Sequence, residues 1–270
     1  VQSDMTGVFR NVKNDLKAGK LVLFSGTPCQ TAGLKSYIGN QLSQNLILID
    51  IICHSVPAPQ IWKDYLAYVE RKCKSRVVSL EFRDKSIGWY QTYLESFKLA
   101  NGKTYKDYKL RVFFYLGLGT RPSCECCKFC NLSRPSDITI GDFWGYERTV
   151  PEMNKDNKGI SLVLCNTPKG REILREASVD LVFKKVPLEK ALQLNLQHPS
   201  EGNPRKNEFA FDYEHKGFNY VVRKYGNGGI INKTREFCTT GRMRRLFLRS
   251  MNLYTTAADL SVSENRRHIS

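Results

Sequence analysis

The sequence predicts an α/β fold, with a mixed sheet that has an N-terminal parallel βαβ unit, antiparallel strands in the middle and a helical C-terminal extension. Two continuous apolar runs, at residues 21–24 and 46–52, indicate the βαβ unit, because each is followed by a segment with helical spacing. Strands that are apolar along their whole length are typical of parallel sheets. Further along, two strand-like segments flank a charged turn, which favours antiparallel pairing.

Apolar periodicity and turn residues predict the N-terminal elements. Val8, Val12 and Leu16 share one face of an amphipathic helix. Gly19 and Lys20 precede the first apolar run, and a proline at position 59 suits the start of a helix. The predicted elements are a helix at 5–18, a strand at 21–24, a helix reaching about residue 37, a strand at 46–52 and a helix from residue 59.

The middle of the chain is predicted to alternate strands and helices. These elements are strands at 77–82 and 92–99, a helix at 107–118, a strand at 160–165, a helix from 168 to about 178 and a short strand at 181–183. Residues 195–207 are polar and contain proline and glycine, so we expect a boundary there. The predicted domains are therefore residues 1–194 and a basic, mainly helical extension at 195–270.

Composition limits the class of protein. Hydrophobic residues make up 41% of the 270 residues and aromatic residues 11%, which is enough for a real core. No run approaches the ~18 apolar residues of a transmembrane segment, and the charged start does not read as a signal peptide. Nine unevenly spaced cysteines argue against a secreted disulfide framework. We therefore expect a cytoplasmic protein with thiolate ligands.

The formal net charge of +16 indicates an anionic partner. The candidates are an anionic cofactor, a peripheral contact with an anionic membrane face, or nucleic acid. A solvated helix face explains a basic stretch such as 233–249 equally well. No nucleic-acid signature accompanies the charge, so we expect no specific nucleic-acid binding.

The segment at 121–145 is the centre of the functional prediction. It contains Cys124, Cys126, Cys127 and Cys130 within seven positions. Cys124 and Cys127, like Cys127 and Cys130, are separated by two residues, a gap that turns both sulfurs toward one metal ion or one iron–sulfur cluster. A disulfide, or thiols without a role, is the alternative interpretation.

Cys29 and Cys53 each follow a predicted strand. Because ligands of α/β sheets bind at the carboxyl ends of the parallel strands, these two cysteines become neighbours if the strands pair. His54 follows Cys53 directly and is expected to support the site by hydrogen bonding rather than to bind a metal.

Three further groups of polar residues are candidate cofactor contacts. Ser25, Gly26 and Thr27 form a turn between a strand and a helix, where free amides suit a phosphate group or a thiolate. Arg83 and Lys85 lie in a charged turn before Trp89, which suits a planar anion, although a solvated hairpin tip is as reasonable. Asp137 and Asp142 flank a strand end, where they orient ligands or simply favour the turn.

Six blocks of sequence occur in the order of a known family. They are VQSDM, VLFSGTPCQTAGLK, IDIICHSVPAPQIW, FRDKSIGW, RPSCECC and SDITIGDFWG. Together they resemble the coenzyme F420 hydrogenase/dehydrogenase beta-subunit family in its C-terminal domain. The resemblance extends from residue 1 to about residue 190.

This resemblance implies an iron–sulfur flavoprotein oxidoreductase. Its expected cofactors are a 4Fe-4S cluster, FAD or another flavin, and the deazaflavin coenzyme F420. The family pattern places the cluster ligands at Cys29, Cys53, Cys124 and Cys127, and four thiolates are the number that such a cluster binds. Ser25, Gly26, Thr27, Arg83, Lys85 and Asp142 are the expected contacts to an anionic cofactor.

The sequence also departs from the family pattern. Serine stands at position 55 where members have glycine, and Cys126 and Cys130 are additional thiols. Members commonly carry an N-terminal ferredoxin-like region, which precedes the matched blocks, so a ferredoxin-like domain or redox partner protein is an expected partner. The alternative function is a non-catalytic binding or scaffold module, stabilised by zinc or a cluster and linked to polysaccharide biosynthesis.

Overall fold

The computed structural model describes residues 3–89 and 94–226. Its helices are α1 (Val8–Lys17), α2 (Pro28–Ile38), α3 (Pro59–Cys73), α4 (Lys109–Tyr115), α5 (Pro122–Glu125), α6 (Pro168–Ala177), α7 (Leu188–Ala191), α8 (Lys206–Lys216) and α9 (Phe218–Tyr225). Its strands are β1 (Val22–Gly26), β2 (Leu46–Ile51), β3 (Val77–Glu81), β4 (Glu95–Leu99), β5 (Thr104–Asp107), β6 (Ile138–Asp142) and β7 (Ser161–Cys165).

The strands form two sheets. The first has the order β1-β2-β6-β7, in which β1, β2 and β6 run parallel and β7 is antiparallel to β6. The second is the antiparallel sheet β3-β4-β5. The predicted fold class is confirmed: β1-α2-β2 is the parallel unit, antiparallel strands follow in the middle, and helices α8 and α9 come near the C-terminus.

Helices α1 and α2 cover one face of the first sheet. The amphipathic face of α1 contributes Val12 and Leu16, and α2 contributes Leu34 and Ile38. They pack against the inward side chains of the two parallel strands, including Leu48. Burial of these apolar side chains fixes the position of the turns at the carboxyl ends of β1 and β2.

A second core joins α3 to the C-terminal helices. Tyr65 of α3 and Phe97 of β4 are fully buried together with Val221 of α9 and Phe209 of α8. The two C-terminal helices therefore share a core with the preceding elements. The division of the chain at residue 195 stays a prediction, and the rest of the predicted extension, at 227–270, lies outside the described residues.

The short strand predicted at 181–183 is wrong. Its residues are 51%, 93% and 60% exposed and belong to no strand. Apolar content alone predicted it, but a strand also needs a neighbouring strand to accept its hydrogen bonds. The helix predicted at 107–118 is shorter, because β5 takes up residues 104–107 as the hairpin partner of β4.

The remaining expectations about the chain concern membrane association and the strand at 92–99. Within the described ranges, no helix combines the length and apolar character needed to cross a bilayer. Strand β4 begins at Glu95, and the first two residues of the predicted strand lie outside the described residues.

Candidate functional site

The turn between β1 and α2 carries the first group of candidate residues. Ser25 and Gly26 end β1, and Thr27 forms a capping box with Gln30, whose Oε1 accepts a hydrogen bond from the Thr27 backbone N–H at 2.9 Å. Cys29 lies in the first turn of α2, with its Sγ 3.1 Å from Thr27 Oγ1. Free amides at a helix N-terminus attract negative charge, so this turn suits a thiolate or a phosphate group.

Cys53 follows β2 at the same edge of the sheet. Strands β1 and β2 pair in parallel along the whole of β1. The Ile52 N–H extends the neighbouring β2–β6 pairing by donating to Ile140 O at 2.8 Å, and Cys53 is the next residue. The structure therefore places Cys29 and Cys53 at one edge, as parallel pairing of the two apolar runs requires.

Backbone contacts hold the start of the cysteine segment against the chain after Cys53. The Arg121 N–H donates to Val56 O at 3.0 Å, and Pro57 forms an isolated bridge with Thr120. The short helix α5 then begins, and the Cys124 N–H donates to Arg121 O at 3.0 Å. These contacts explain why two segments far apart in sequence present their cysteines together.

Five thiols share this region. Burial raises the pKa of the Cys53 thiol to about 12, and the charges of four neighbouring thiolates add to the rise. Those four are Cys124, Cys29, Cys127 and Cys130. Burial, followed by the neighbouring Cys127, also raises the pKa of Cys130 to about 12. The crowded thiols repel each other as anions, so a cationic group between them would stabilise their thiolate forms.

Two kinds of inorganic centre bind sets of cysteine thiolates. Four thiolates that bind one zinc ion at ~2.3 Å stand about 3.8 Å from each other. In the described part of the chain, no three Cys, His, Asp or Glu side chains are placed to hold a single metal ion. In a 4Fe-4S cluster each thiolate binds a different iron, so the thiolates stand farther apart than they do around one zinc ion. A set of soft thiolate donors fits an iron–sulfur cluster and fits a zinc ion equally well.

Arg134 connects the end of the cysteine segment to the first sheet through an ion pair and hydrogen bonds. Its side chain is only 1% exposed and forms an ion pair with the fully buried Asp50, with Nη2 2.9 Å from Oδ1. Nε donates to Thr139 Oγ1 at 3.2 Å, Nη1 to Phe129 O at 2.6 Å and Nη2 to Ile51 O at 3.0 Å. One guanidinium thus joins the residue before Cys130 to the carboxyl end of β2 and to the beginning of β6.

His54 is held by a hydroxyl group from the C-terminal part of the chain. Ser200 Oγ donates to His54 O at 2.7 Å and lies 2.9 Å from His54 Nδ1, while Asn195 Nδ2 donates to Ser200 Oγ at 3.0 Å. Because the single hydroxyl proton goes to the carbonyl, we assign the ring proton to Nδ1. Burial lowers the pKa of His54, so the ring is neutral near pH 7. These contacts position the loop that carries Cys53.

The remaining candidate contacts surround a pair of stacked indoles. Arg83 Nη1 lies 2.8 Å from Asp142 Oδ2, and the Arg83 guanidinium is centred 5.5 Å from the ring of Trp89. Lys85 Nζ is also 5.5 Å from that ring, which stacks on Trp144 at 4.7 Å. The two predicted cationic contacts, Arg83 and Lys85, therefore lie beside the same indole ring. The predicted contact Asp142 neutralises part of their positive charge.

Arg83 combines an unusual backbone conformation with polar atoms that have no partner among the described residues. Its φ of +59° is rare for a residue with a side chain. Its Nε and Nη2 are buried and have no hydrogen-bond partner among the described residues. Buried donors without acceptors are costly, so an anion at this position would satisfy them.

Four residues that hold the site together were not predicted from the sequence: Arg134, Asp50, Asn195 and Ser200. An aspartate inside the apolar run LILIDII is a signal that could have found Asp50, because a buried carboxylate requires a partner. The other three residues carry no comparable signal, since polar residues near turns are ordinary.

Comparison with known proteins completes the description. A family model matches residues 19–191, and it describes the C terminus of the beta subunit of coenzyme F420 hydrogenase/dehydrogenase. The chain belongs to this family. The family resemblance is thereby confirmed. The match ends close to residue 190, as expected, but it begins at residue 19, so the first block, VQSDM, lies outside it. Membership associates the chain with oxidoreduction, as a subunit of the hydrogenase and dehydrogenase type.

Two other comparisons add little to this assignment. No match is found among curated proteins. Among solved structures, an F420-reducing nickel–iron hydrogenase complex from Methanosarcina barkeri matches with 14% identity and a TM-score of 0.40. That match covers 85% of this chain and 69% of the hydrogenase chain. The family assignment therefore rests on the match over residues 19–191.

Proposed function

We propose that this chain is an iron–sulfur flavoprotein module that relays electrons between a 4Fe-4S cluster and a flavin or an F420-like deazaflavin. The observation that carries the proposal is the meeting of five thiols from three separate segments at the carboxyl edge of the first sheet. When bound, the cluster and the flavin would supply the one-electron and hydride chemistry.

The proposed cluster ligands are Cys29, Cys53, Cys124 and Cys127, as the family pattern implies. Cys29 lies in the first turn of α2, at the same edge of the sheet as Cys53, which supports its assignment as a ligand. The protein would hold these ligands in place through its own contacts, so that little rearrangement is needed on loading.

Arg83 and Lys85 would bind the anionic groups of FAD or coenzyme F420, and the Ser25–Thr27 turn at the N-terminus of α2 would bind a phosphate group. Asp142 would orient Arg83 through the ion pair at 2.8 Å. The chain carries a net charge of +16, which would steer an acidic ferredoxin-like domain or redox partner protein toward it. A cytoplasmic location, with its reducing conditions, suits exposed and half-buried thiols.

The cluster is tested by anaerobic reconstitution with iron and sulfide. We expect a brown protein with about four irons per chain that dithionite bleaches, and we expect Cys29→Ala to abolish this spectrum. Cys165→Ala is the matched control, because Cys165 pairs with the first residue of β6 and so lies at the opposite edge of the sheet. A colourless protein with one zinc would support the scaffold alternative. Equal loss in both variants would contradict the ligand assignment.

The flavin site is tested by titrating the reconstituted protein with FAD and with coenzyme F420 while following fluorescence. Loss of a charge-assisted hydrogen bond is worth about 1.5–3 kcal/mol, so Arg83→Gln should weaken binding by roughly tenfold to a hundredfold. Arg175→Gln removes a cation from the exposed face of α6 and should leave the affinity unchanged. Equal affinities for the three proteins would exclude Arg83 as the anion contact.

A further inference from the structure

A short apolar segment between α6 and α7 belongs neither to the buried core nor to the proposed site. We call residues 179–183, with the sequence VDLVF, the apolar loop. Val179 is 85% exposed and Val182 is 93% exposed, and Leu181 and Phe183 are also more than half exposed. A run of exposed apolar side chains marks a place where a protein contacts another molecule or a membrane.

The apolar loop protrudes from the protein and does not lie against it. Residues 178–180 form a short 3₁₀ turn, and the backbone at Leu181 is extended, with φ −119° and ψ 139°. An extended segment that covers its own core buries every second side chain. Here the consecutive residues Leu181, Val182 and Phe183 are all exposed, so neither side of the loop rests on the protein.

The residues that follow the apolar loop anchor it. Val186 packs against the core that contains Trp89, and Lys184 forms an ion pair with Glu152. The protruding side chains therefore stand on a base that is held in place. Contact with a partner then costs little conformational entropy, because the base needs no ordering.

The charge beside the apolar loop suits an anionic surface. Lys184 and Lys185 follow Phe183 directly, and Asp180 is the only acidic residue at positions 179–188. Lysine side chains are long enough to keep their ammonium groups in a polar layer while apolar neighbours enter a less polar one. The formal net charge of the whole chain, +16, attracts it to anionic surfaces as well.

We propose that the apolar loop is a membrane-contact site, which inserts its apolar side chains into the headgroup boundary of an anionic lipid bilayer and places Lys184 and Lys185 against the lipid phosphates. A protein partner that lies flat against an extended segment covers alternate side chains only. A bilayer surrounds an inserted loop and so buries consecutive side chains. This inference is independent of the proposed cluster and flavin.

The test measures sedimentation of the full chain with lipid vesicles. Vesicles of phosphatidylcholine are compared with vesicles of equal parts phosphatidylcholine and phosphatidylglycerol. We expect binding to the anionic vesicles, and we expect it to weaken as salt is added, because salt screens the attraction between lysines and lipid phosphates. Binding to neither kind of vesicle would overturn the proposal and leave the loop to a protein partner.

The combined variant Val182→Ser and Phe183→Ser removes two of the inserted side chains. It should weaken binding to anionic vesicles by at least about tenfold, because that much apolar surface no longer leaves water. Lys185→Gln should weaken binding roughly fivefold. Val78→Ser is the matched control, since Val78 is also exposed but lies on β3 of the second sheet, and it should bind like the wild type. Far-UV circular dichroism checks the folding of each variant. Equal losses in the control and the combined variant would contradict the assignment of the loop.

Insertion also needs a direct readout, because charge alone would hold the chain on anionic vesicles through a stretch such as 233–249. Phe183→Trp places a fluorescent ring on the apolar loop, and its emission is compared in vesicles with and without brominated acyl chains. We expect the brominated lipid to quench this variant more strongly than the wild type. Absence of extra quenching, or full binding by the combined serine variant, would overturn the proposal.

Discussion

Replacement of Arg134 by methionine tests how strongly the cysteine segment is attached to the sheet. Methionine is similar in length and fills the space of the aliphatic part of arginine, but it forms no ion pair. Asp50 is fully buried, and after the change its Oδ1 retains only the hydrogen bond from Thr139 Oγ1 at 2.6 Å. Its Oδ2 has no partner among the described residues even in the wild type.

The expected cost follows from the charge that is left behind. Removing one member of a buried ion pair destabilises a protein by about 3–5 kcal/mol, because the remaining charge is neither hydrated nor paired. The carbonyls of Phe129 and Ile51 each lose a donor as well, which adds to this cost. We expect Arg134→Met to lower the free energy of unfolding by about 4 kcal/mol.

The assay is urea unfolding followed by far-UV circular dichroism, with the midpoint and slope fitted together. Asp50→Asn in the Arg134→Met background should recover part of the loss, because an amide costs less to bury than a carboxylate. Arg175→Met, which removes an exposed ion pair on α6, is the control and should leave the midpoint unchanged. A loss below about 1 kcal/mol in Arg134→Met would refute the reasoning, since exposed pairs cost that little.

Two further predictions concern packing and pH. Gly159 has a φ of +91°, and a Cβ there would overlap ring atoms of Trp89, so Gly159→Ala should cost at least about 2 kcal/mol in the same assay. Hydrogen bonds from Lys106, then from two serines, hold the pKa of Asp84 well below its usual value. Its stabilisation is therefore present above about pH 4 and lost as the pH falls further; Asp84→Asn should show a smaller drop in the urea midpoint between pH 6 and pH 3.

The parallel unit was predictable because its two strands are continuous apolar runs in the sequence. The apolar runs at 21–24 and 46–52 correspond to β1 and β2, with boundaries displaced by one or two residues. A continuous apolar run is a local signal that the sequence itself carries, although burial alternates along β1 and β2 in the structure. The local sequence therefore determines these elements almost without tertiary context.

The strand predicted at 181–183 and the overlooked strand β5 show where local signals end. The first is apolar but has no neighbouring strand, whereas β5 is polar and forms because β4 lies beside it. In both cases the deciding term is the pairing with another strand, which a single segment does not encode. A neighbouring strand made the polar segment 104–107 a strand, and the lack of one left the apolar segment 181–183 without strand structure.

The candidate site also has one part that the sequence predicts and another that it does not. The meeting of Cys29 and Cys53 follows from one rule, that parallel strands place their carboxyl ends at one edge. The docking of residues 121–134 against that edge follows from no rule of sequence. It depends on contacts such as Arg134 with Asp50, and the hydrogen bonds of Ser200 span 146 residues to His54. Polar contacts over such separations become visible only when the fold is known.

The cysteine segment is attached to the sheet at both of its ends. At one end, backbone hydrogen bonding joins Arg121 to Val56, three residues after Cys53. At the other end, the Arg134 guanidinium binds the carboxyl end of β2. A loop fixed at two points has little conformational entropy left to lose when its side chains bind a ligand. The four proposed ligands are thus brought together by the fold itself, and the energy of binding an inorganic centre would go into affinity rather than into ordering the chain.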